Sequence, residues 1–480
     1  LQDLSSFEKT VTERRLENGM TFLIVERHEV PVVSFHLYAD VGSVDEEVGQ
    51  TGMAHMFEHM AFKGTRDIGT RDWEREKEAL EKVDRVYKQL REAKLARTGV
   101  APEQIEELER AFREVQAQAG EYAASDELTR VIEQAGGSGL NASTSNDATR
   151  YYLSLPSNRA ELWFSLESAR FLDPVLREFY KERDVVLEER RMRVESQPVG
   201  KLIGNLLSLA YRAHPYGREA IGWRSDLEFL ASWDAREFFE KQYVPSNLTA
   251  VIVGDVDPQK GIEWADAYFG RLPKKERPEP LPTAEPEQEG VRRTWVHAQS
   301  QPVLLIGYHK PGVLHPDDAV FDAVQDVLSG GRTSRLYRSL VQEKRISAGA
   351  GGFPGFPGNK YPNLFLFFSF PSPGHSNEEN EEAMLSEIEK LKSDLVSEEE
   401  LERVKARARA QLVDGLDSNA GLAAQLAAYE VLTGDWRNLF RSLEAIDRVT
   451  REDIRRVAKE YFTEENRSVG YLLPESEGGP

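Results

Sequence analysis

Cysteine is absent from the 480-residue chain. Its absence excludes disulfide bonds, thiolate metal sites, iron–sulfur clusters and a cysteine nucleophile. Any bound metal must therefore be held by imidazole nitrogens and carboxylate oxygens. The chain has only nine histidines, which narrows the search for such a site.

Long apolar runs and positive charge are also scarce. No stretch approaches the 18 or so apolar residues of a membrane helix, so no membrane span is expected. The chain has 61 Lys+Arg against 82 Asp+Glu and a formal charge of −21, a surface that disfavours binding to nucleic acid or anionic lipid. The chain starts at Leu1 without Met, so we expect that a targeting segment was removed and that the protein is periplasmic or otherwise exported, with the cytoplasm as the alternative.

The length and a hydrophobic fraction of 40% predict two or more domains with sizeable cores. Residues 272–290 are rich in proline and charge and are typical of a semi-extended linker. They would separate an N-terminal domain, 1–271, from a C-terminal domain, 291–480. The two parts repeat one pattern of strands and helices, with 32–38 resembling 303–308 and 234–253 resembling 453–473. We predict an α+β fold of two related halves, each a mixed β-sheet flanked by helices.

Residues 71–125 interrupt this repeat. Their apolar residues recur at spacings of three, four and seven on both sides of a turn at 98–102, which predicts an antiparallel helical hairpin inserted in the N-terminal half. The positions are Leu80, Val83, Tyr87, Leu90, Ile105, Leu108, Phe112, Val115 and Tyr122. The dense charge around them favours a solvated arm with a thin apolar seam over a dedicated binding arm.

The motif that carries chemistry is His55-Met-Phe-Glu58-His59. On a helix, residues four apart lie on one face, so both imidazoles can reach one ion. A pair of neutral imidazoles suits zinc, and Glu58 is placed to accept a proton from a water that the zinc activates. Nine histidines and 82 acidic residues give roughly 0.03 chance matches to this pattern, so two ordinary core histidines are a poor explanation.

A catalytic zinc usually has three protein ligands. Here the third must be a carboxylate or another histidine, and the best local candidate is the acidic helix that contains Glu182 and Glu189. These glutamates are two helical turns apart on one face, so one could bind the metal while the other supports an imidazole. In a chain so rich in glutamate, the pattern alone favours an ordinary solvated helix over a metal-binding one.

The runs Gly52–Thr65 and Glu182–Glu189 resemble the two zinc segments of the insulinase/pitrilysin peptidases, which have the inverted zinc motif and include the mitochondrial processing peptidase. The resemblance covers nearly the whole chain apart from the helical insertion. It implies that Glu189 is the third zinc ligand and that Glu182 is the supporting carboxylate. It also implies a zinc-dependent endopeptidase, with one zinc per chain, that cleaves unfolded peptides inside a chamber.

Two departures from the family pattern stand out. The separation between His59 and Glu189 is longer than the family pattern implies, and the helical insertion accounts for the excess. In addition, an Arg and a Tyr seven residues apart often contact substrate in the C-terminal half of family members. Here those positions are Gln342 and Gly349. Because some members divide the zinc site and this pair between two chains, we expect a heterodimer with a homologous partner that lacks zinc, and a homodimer as the second possibility.

Substrate contact is expected at Asn141, Ala142 and Ser143, which precede an alternating, strand-like run at 149–155. The resemblance implies an open strand edge that pairs with the peptide backbone, whereas the pattern alone favours an ordinary strand pair. The glycine-rich residues 349–358 are predicted to be a plain loop. A non-catalytic core subunit of a larger complex is the alternative function, but it leaves an intact zinc motif unexplained.

Overall fold

The computed structural model of the chain describes residues 7–96 and 98–475. Leu1, on which the expectation of a removed targeting segment depends, lies outside the described residues. Within these ranges, no helix is long and apolar enough to cross a membrane.

Two β-sheets, one in each half of the chain, organise the fold. Their strands are β1 (Val11–Arg15), β2 (Thr21–Glu26), β3 (Val32–Ala39), β4 (Ser138–Thr144), β5 (Thr149–Pro156), β6 (Leu248–Gly254), β7 (Arg292–Ala298), β8 (Val303–Lys310), β9 (Ser347–Phe356), β10 (Asn363–Pro371) and β11 (Arg467–Pro474).

Helices flank both sheets. In the N-terminal half they are α1 (Met53–Met60), α2 (Trp73–Leu95), α3 (Pro102–Gly120), α4 (Glu127–Gln134), α5 (Ala160–Leu172), α6 (Phe179–Arg190), α7 (Pro198–Ala210), α8 (Arg224–Leu227), α9 (Ser232–Gln242) and α10 (Pro258–Tyr268). In the C-terminal half they are α11 (Asp318–Ser329), α12 (Asn377–Ser393), α13 (Glu398–Asp417), α14 (Asn419–Thr433), α15 (Asn438–Arg448) and α16 (Arg451–Tyr461).

The strand orders confirm that the two halves are related. The first sheet runs β1-β2-β6-β3-β5-β4 and the second runs β7-β11-β8-β10-β9. In each, a parallel pair, β2 with β6 or β7 with β11, is followed by antiparallel pairs. Among the strands of the described residues, only β1 has no counterpart. Each half is therefore a mixed sheet flanked by helices, as the repeat predicts.

The predicted helical hairpin is present as α2 and α3, but it is not a solvated arm. Tyr87, Leu90, Phe112 and Val115 are buried and belong to the same apolar cluster as the first sheet. Glu76, near the start of α2, is fully buried as well. The apolar seam lies at the predicted positions, but the expectation of a solvated arm is wrong, because this seam packs on the core of the N-terminal half.

The prediction of a plain loop at 349–358 is also wrong. Most of this segment is β9, an edge strand paired antiparallel with β10. Its glycines leave room for aromatic rings, since a Cβ on Gly352 would lie 2.4 Å from the ring of Phe367 and one on Gly351 would lie 3.1 Å from the ring of Phe368. Glycine is therefore required at these positions of β9 because the phenylalanine rings of β10 lie directly against its backbone.

The domain boundaries at 271 and 291 stay predictions. Residues 272–291 contain no helix or strand, and the segment contacts both halves, with Gln288 donating to the Arg467 carbonyl of the C-terminal half. Arg277 pairs with Asp40, and Glu285 accepts backbone hydrogen bonds from Arg212, Ala213 and His214.

The β9–β10 loop of the C-terminal half docks on the N-terminal half. Asp147, in the β4–β5 turn, accepts hydrogen bonds from the backbone nitrogens of Asn359 at 2.6 Å and Lys360 at 3.1 Å. The Lys360 ammonium lies 2.8 Å from buried Asp40. These contacts join the β4–β5 turn and Asp40 of the first half to the second half.

Candidate metal centre

Helix α1 carries the HxxEH motif, and a buried carboxylate holds its first turn. Glu46 accepts hydrogen bonds from the backbone nitrogens of Gly52 and Ala54, both at 2.9 Å. Gly52 has a φ of 89°, and a Cβ there would lie 2.6 Å from the Ile221 carbonyl oxygen, so only glycine fits the start of this helix. Burial raises the pKa of Glu46 to about 8, against the opposing effect of these two amides.

His55, His59 and Glu189 come together in the folded chain. Glu189 Oε2 lies 3.7 Å from His55 Nε2 and 3.4 Å from His59 Nε2. One potential ligand atom from each residue lies within 4.8 Å of the other two. Ligands about 2.0–2.1 Å from a tetrahedral zinc are about 3.3 Å apart, so this donor set has nearly the right size for zinc.

Helix α6 carries both Glu182 and Glu189, which are two helical turns apart. Phe179 and Val186 of this helix are buried. Glu182 and Glu189 contact His59 on α1. The other carboxylate oxygen of Glu189 lies 2.6 Å from Arg193, in a π-helical turn that directly follows α6. The exposed Arg193 therefore forms an ion pair with the Glu189 oxygen that does not face the histidines.

Glu182 contacts the second nitrogen of His59. Its Oε2 lies 3.3 Å from His59 Nδ1, so an Nδ1–H donor would leave Nε2 free to bind a metal. Although burial opposes it, the hydrogen bond with Glu182 raises the pKa of His59. For Glu182, burial acts to raise the pKa, but His59 and Lys63 outweigh burial and lower the pKa to about 2.

His55 lies deeper than His59. It is 9% exposed, and burial lowers its pKa despite the nearby charge of Glu189. Its Nδ1 is buried and has no hydrogen-bond partner among the described residues. A neutral imidazole is the form that binds a metal, so this environment suits a ligand.

Glu58 lies on the same helix, and its negative charge acts on both His55 and His59. Its side chain is partly buried. The arrangement supplies two imidazoles, one carboxylate ligand and one further carboxylate. Their individual roles stay predictions.

The expected substrate residues lie on the edge strand β4, which pairs with β5 on one side only. Asn141 and Ser143 are exposed, whereas Ala142 is buried. The Ala142 N–H donates to the Asn141 side-chain oxygen at 2.8 Å. The strand edge is therefore open, and Asn141 covers one of its backbone donors.

Gln342 and Gly349 lie in the C-terminal half. Gln342 is exposed in a π-helical segment, Tyr337–Glu343, and Gly349 is on β9 opposite Phe370. Neither has a long cationic or phenolic side chain.

The sequence analysis missed Lys63 and Glu46. Lys63 Nζ lies 2.5 Å from Glu182 Oε1 and 3.4 Å from Glu178. Lys63 follows His59 by four residues on the run that shows the family resemblance, and that spacing could have identified it. No local signal marks Glu46, because its partners depend on how the preceding loop folds back.

A cavity of about 1210 Å³ lies away from the motif residues. The inner faces of α2 and α3 and residues 173–181 line it. None of His55, His59 and Glu189 is among its lining residues. The chemistry of the motif therefore belongs to the α1–α6 contact and not to this cavity.

Two family profiles match the chain. The profile of the Insulinase (Peptidase family M16) matches residues 21–87 and 116–223. The profile of the Peptidase M16 inactive domain matches residues 233–408. The residues between the two segments of the first match, 88–115, lie in the α2–α3 hairpin, which agrees with an insertion there.

Curated relatives match over almost the full length. Zinc protease PqqE of Helicobacter pylori is 28% identical over 473 residues, covering 96% of this chain and 92% of the relative. Mitochondrial-processing peptidase subunit beta of Saccharomyces cerevisiae is 24% identical over 474 residues, covering 95% and 89%. Among solved structures, a protease from Helicobacter pylori superposes with a TM-score of 0.80 at 26% identity, covering 97% of this chain and 99% of the other.

Proposed function

Because this chain belongs to the insulinase family of peptidases, peptidase family M16, we propose that it is a zinc-dependent endopeptidase that cleaves unfolded peptides. The family and its zinc-protease relatives establish the coarser class. The cleavage of peptide bonds by this chain and its individual catalytic residues are the proposal.

One observation carries the proposal: the convergence of His55, His59 and Glu189. Three residues from two helices, up to 134 positions apart in the sequence, present ligand atoms at a spacing that suits zinc. The support for His59 from Glu182 adds the outer carboxylate that metal-binding histidines usually have. A catalytic zinc site needs three such ligands and an open position, and this set supplies three.

A zinc ion bound there would lower the pKa of water to about 7 and polarise a peptide carbonyl. Glu58 would accept the proton from the attacking water and deliver it to the leaving amine nitrogen. Glu182 would hold His59 in the tautomer that offers Nε2. His55, in its buried position, would stay neutral.

The β4 edge supplies a binding mode for the peptide. Without a peptide, the Ala142 N–H donates its hydrogen bond to the Asn141 side-chain oxygen. An incoming peptide would displace the Asn141 oxygen and add a strand next to β4, with backbone hydrogen bonds for affinity and little side-chain preference. The edge lies beside α1, because helix α1 packs on β4.

The two-chain arrangement is part of the proposal. Gln342 and Gly349 lack the groups that often contact substrate in this family, and one relative, the yeast protein, is named as a subunit. We therefore favour a heterodimer with a homologous partner that lacks zinc. A homodimer is the second possibility, and a non-catalytic core subunit is the alternative function. Export to the periplasm stays a prediction.

Metal analysis is the first experiment. We expect one zinc per chain in the wild type and in Glu58→Gln, which removes a base and not a ligand. Glu189→Gln should lose the zinc. Glu188→Gln is the matched control, because Glu188 is the adjacent glutamate of α6 and pairs at the surface with Arg191. A wild-type chain that binds no zinc would favour the core-subunit function.

Peptide cleavage is the second experiment. The zinc-loaded chain is assayed on an unfolded peptide alone and after addition of a homologue encoded next to it. We expect cleavage to depend on the homologue, and native mass should show one copy of each. Full activity of the isolated chain would contradict the two-chain arrangement but not the peptidase.

A further inference from the structure

We infer that the helical hairpin is a brace for the metal site, in which the buried Glu76–Arg177 pair positions residues 63–69 and, through Lys63 and Glu182, the imidazole of His59. This inference rests on the proposed function, because it assigns to the hairpin a part in zinc binding. It gives Glu76, Arg177 and Lys63 the role of positioning residues.

The pair is almost completely buried. Glu76 is 0% exposed and Arg177 is 1% exposed. Arg177 Nε lies 2.5 Å from one Glu76 oxygen, and its Nη2 lies 2.9 Å from the other, so the contact is bidentate. A bidentate carboxylate fixes the plane of a guanidinium group as well as its position. Glu76, on the first helix of the hairpin, therefore sets the orientation of Arg177.

The remaining Arg177 donors are used by the loop that follows α1. Its Nη2 donates to the Thr65 carbonyl at 3.0 Å, and its Nη1 donates to the carbonyls of Lys63 and Ile68. The guanidinium group thus binds three carbonyl oxygens of one short loop. Moving Arg177 would leave these carbonyls without their donors in a buried place, which is costly.

Two glycines show that the loop is built around this group. Gly64 has a φ of 84°, and a Cβ there would lie 2.2 Å from the Ile68 carbonyl oxygen. Gly69 has a φ of 92°, and a Cβ there would lie 2.6 Å from Arg177 Nη1 and 2.7 Å from the Lys63 carbonyl oxygen. Side chains at either position would exclude the guanidinium group or deform the loop.

Lys63 transmits the position of the loop to the metal site. Its carbonyl is held by Arg177, and its ammonium lies 2.5 Å from Glu182 Oε1. The other Glu182 oxygen lies 3.3 Å from His59 Nδ1. An unbroken series of contacts therefore runs from the hairpin to an expected zinc ligand. Outer partners of ligating histidines typically change metal affinity 10–100-fold.

The experiment measures zinc affinity by chelator competition, with circular dichroism to verify folding. Glu76→Gln breaks the bidentate pair. The double variant Glu76→Met/Arg177→Met replaces the pair with apolar side chains, which buried ion pairs often tolerate. Lys77→Gln is the control on the same helix, since Lys77 is exposed. Lys63→Met and Lys63→Arg test the last step with and without the positive charge.

We expect both folded Glu76 variants and Lys63→Met to bind zinc about 10-fold more weakly. Lys77→Gln should match the wild type, and Lys63→Arg should recover most of the affinity. Wild-type affinity in a folded Glu76 variant would overturn the brace. Loss of folding in both Glu76 variants would also overturn it, because the pair would then hold the fold and not the site. A wild type without zinc would refute the proposed function instead.

Discussion

Glu46 offers a quantitative test of how the metal helix is held. Its side chain is 6% exposed and accepts two backbone hydrogen bonds at the start of α1. Burial favours the protonated carboxyl, whereas the two amides and the positive end of the helix favour the carboxylate. Burial prevails and raises the pKa to about 8. The perturbation is Glu46→Gln, which cannot ionise.

The sign of the pH dependence follows from the direction of this shift. The pKa in the folded chain lies above the value of about 4.3 in the unfolded chain, so the folded state binds the proton more tightly. The resulting stabilisation is complete below the unfolded pKa and is lost as the pH rises towards 8. A fully shifted group changes the free energy of unfolding by about 1.4 kcal/mol per pH unit.

From pH 5.5 to 7.5 the wild type should therefore lose about 2.5 kcal/mol that the variant does not lose. Glu46→Gln also leaves one backbone amide poorly paired, which costs about 1–3 kcal/mol at every pH. The quantity to follow is therefore the difference in the free energy of unfolding between wild type and Glu46→Gln at each pH. Every other titrating group cancels in that difference.

The assay is urea unfolding of the metal-free chains at pH 5.5, 6.5 and 7.5. Glu47→Gln is the matched control, because Glu47 is the exposed neighbour and pairs with Lys241 at the surface. Its difference from wild type should stay constant over this range. A constant difference for Glu46→Gln would refute the reasoning, because it would mean that the two amides keep the carboxylate ionised.

Three further predictions concern chemistry, substrate and domain contact. Glu58→Gln should keep its zinc and lose about 10²–10⁴-fold in kcat, and retained turnover would contradict its role as the base. Ala142→Pro removes a backbone donor from the β4 edge and should raise KM for peptides, whereas Ser143→Ala should not; equal KM values in steady-state assays would exclude strand addition there. Asp147→Asn weakens the hydrogen bonds to the β9–β10 loop and should cost about 2–4 kcal/mol in urea unfolding, and an unchanged midpoint would show that this contact contributes little.

Local geometry explains what could be predicted. His55 and His59 share one face of any helix that contains them, so their pairing follows from spacing alone. The same reasoning holds for Glu182 and Glu189 on α6 and for the two helices of the hairpin. In each case the relevant distance is set by one secondary-structure element.

The errors came from contacts between elements. A glycine-rich segment resembles a loop, but β9 is held by β10 and by rings that fill the space above its glycines. The charged hairpin resembles a solvated arm, because its sequence does not reveal that Glu76 meets Arg177 about a hundred residues away. The charge of a side chain is visible in the sequence, whereas its burial depends on what packs against it.

The sequence by itself determined the possible chemistry of this protein. Without cysteine, a metal site had to use His and Glu, and the spacing of His55, Glu58 and His59 placed those groups on one helical face. Only the tertiary structure brings Glu189 within 3.7 Å of both imidazoles, places Lys63 against Glu182 and Glu182 against His59, and joins the hairpin to the loop of Lys63 through Arg177. The physical reason is that helical spacing fixes positions within about two turns, whereas the approach of distant segments depends on burial and pairing across the whole fold.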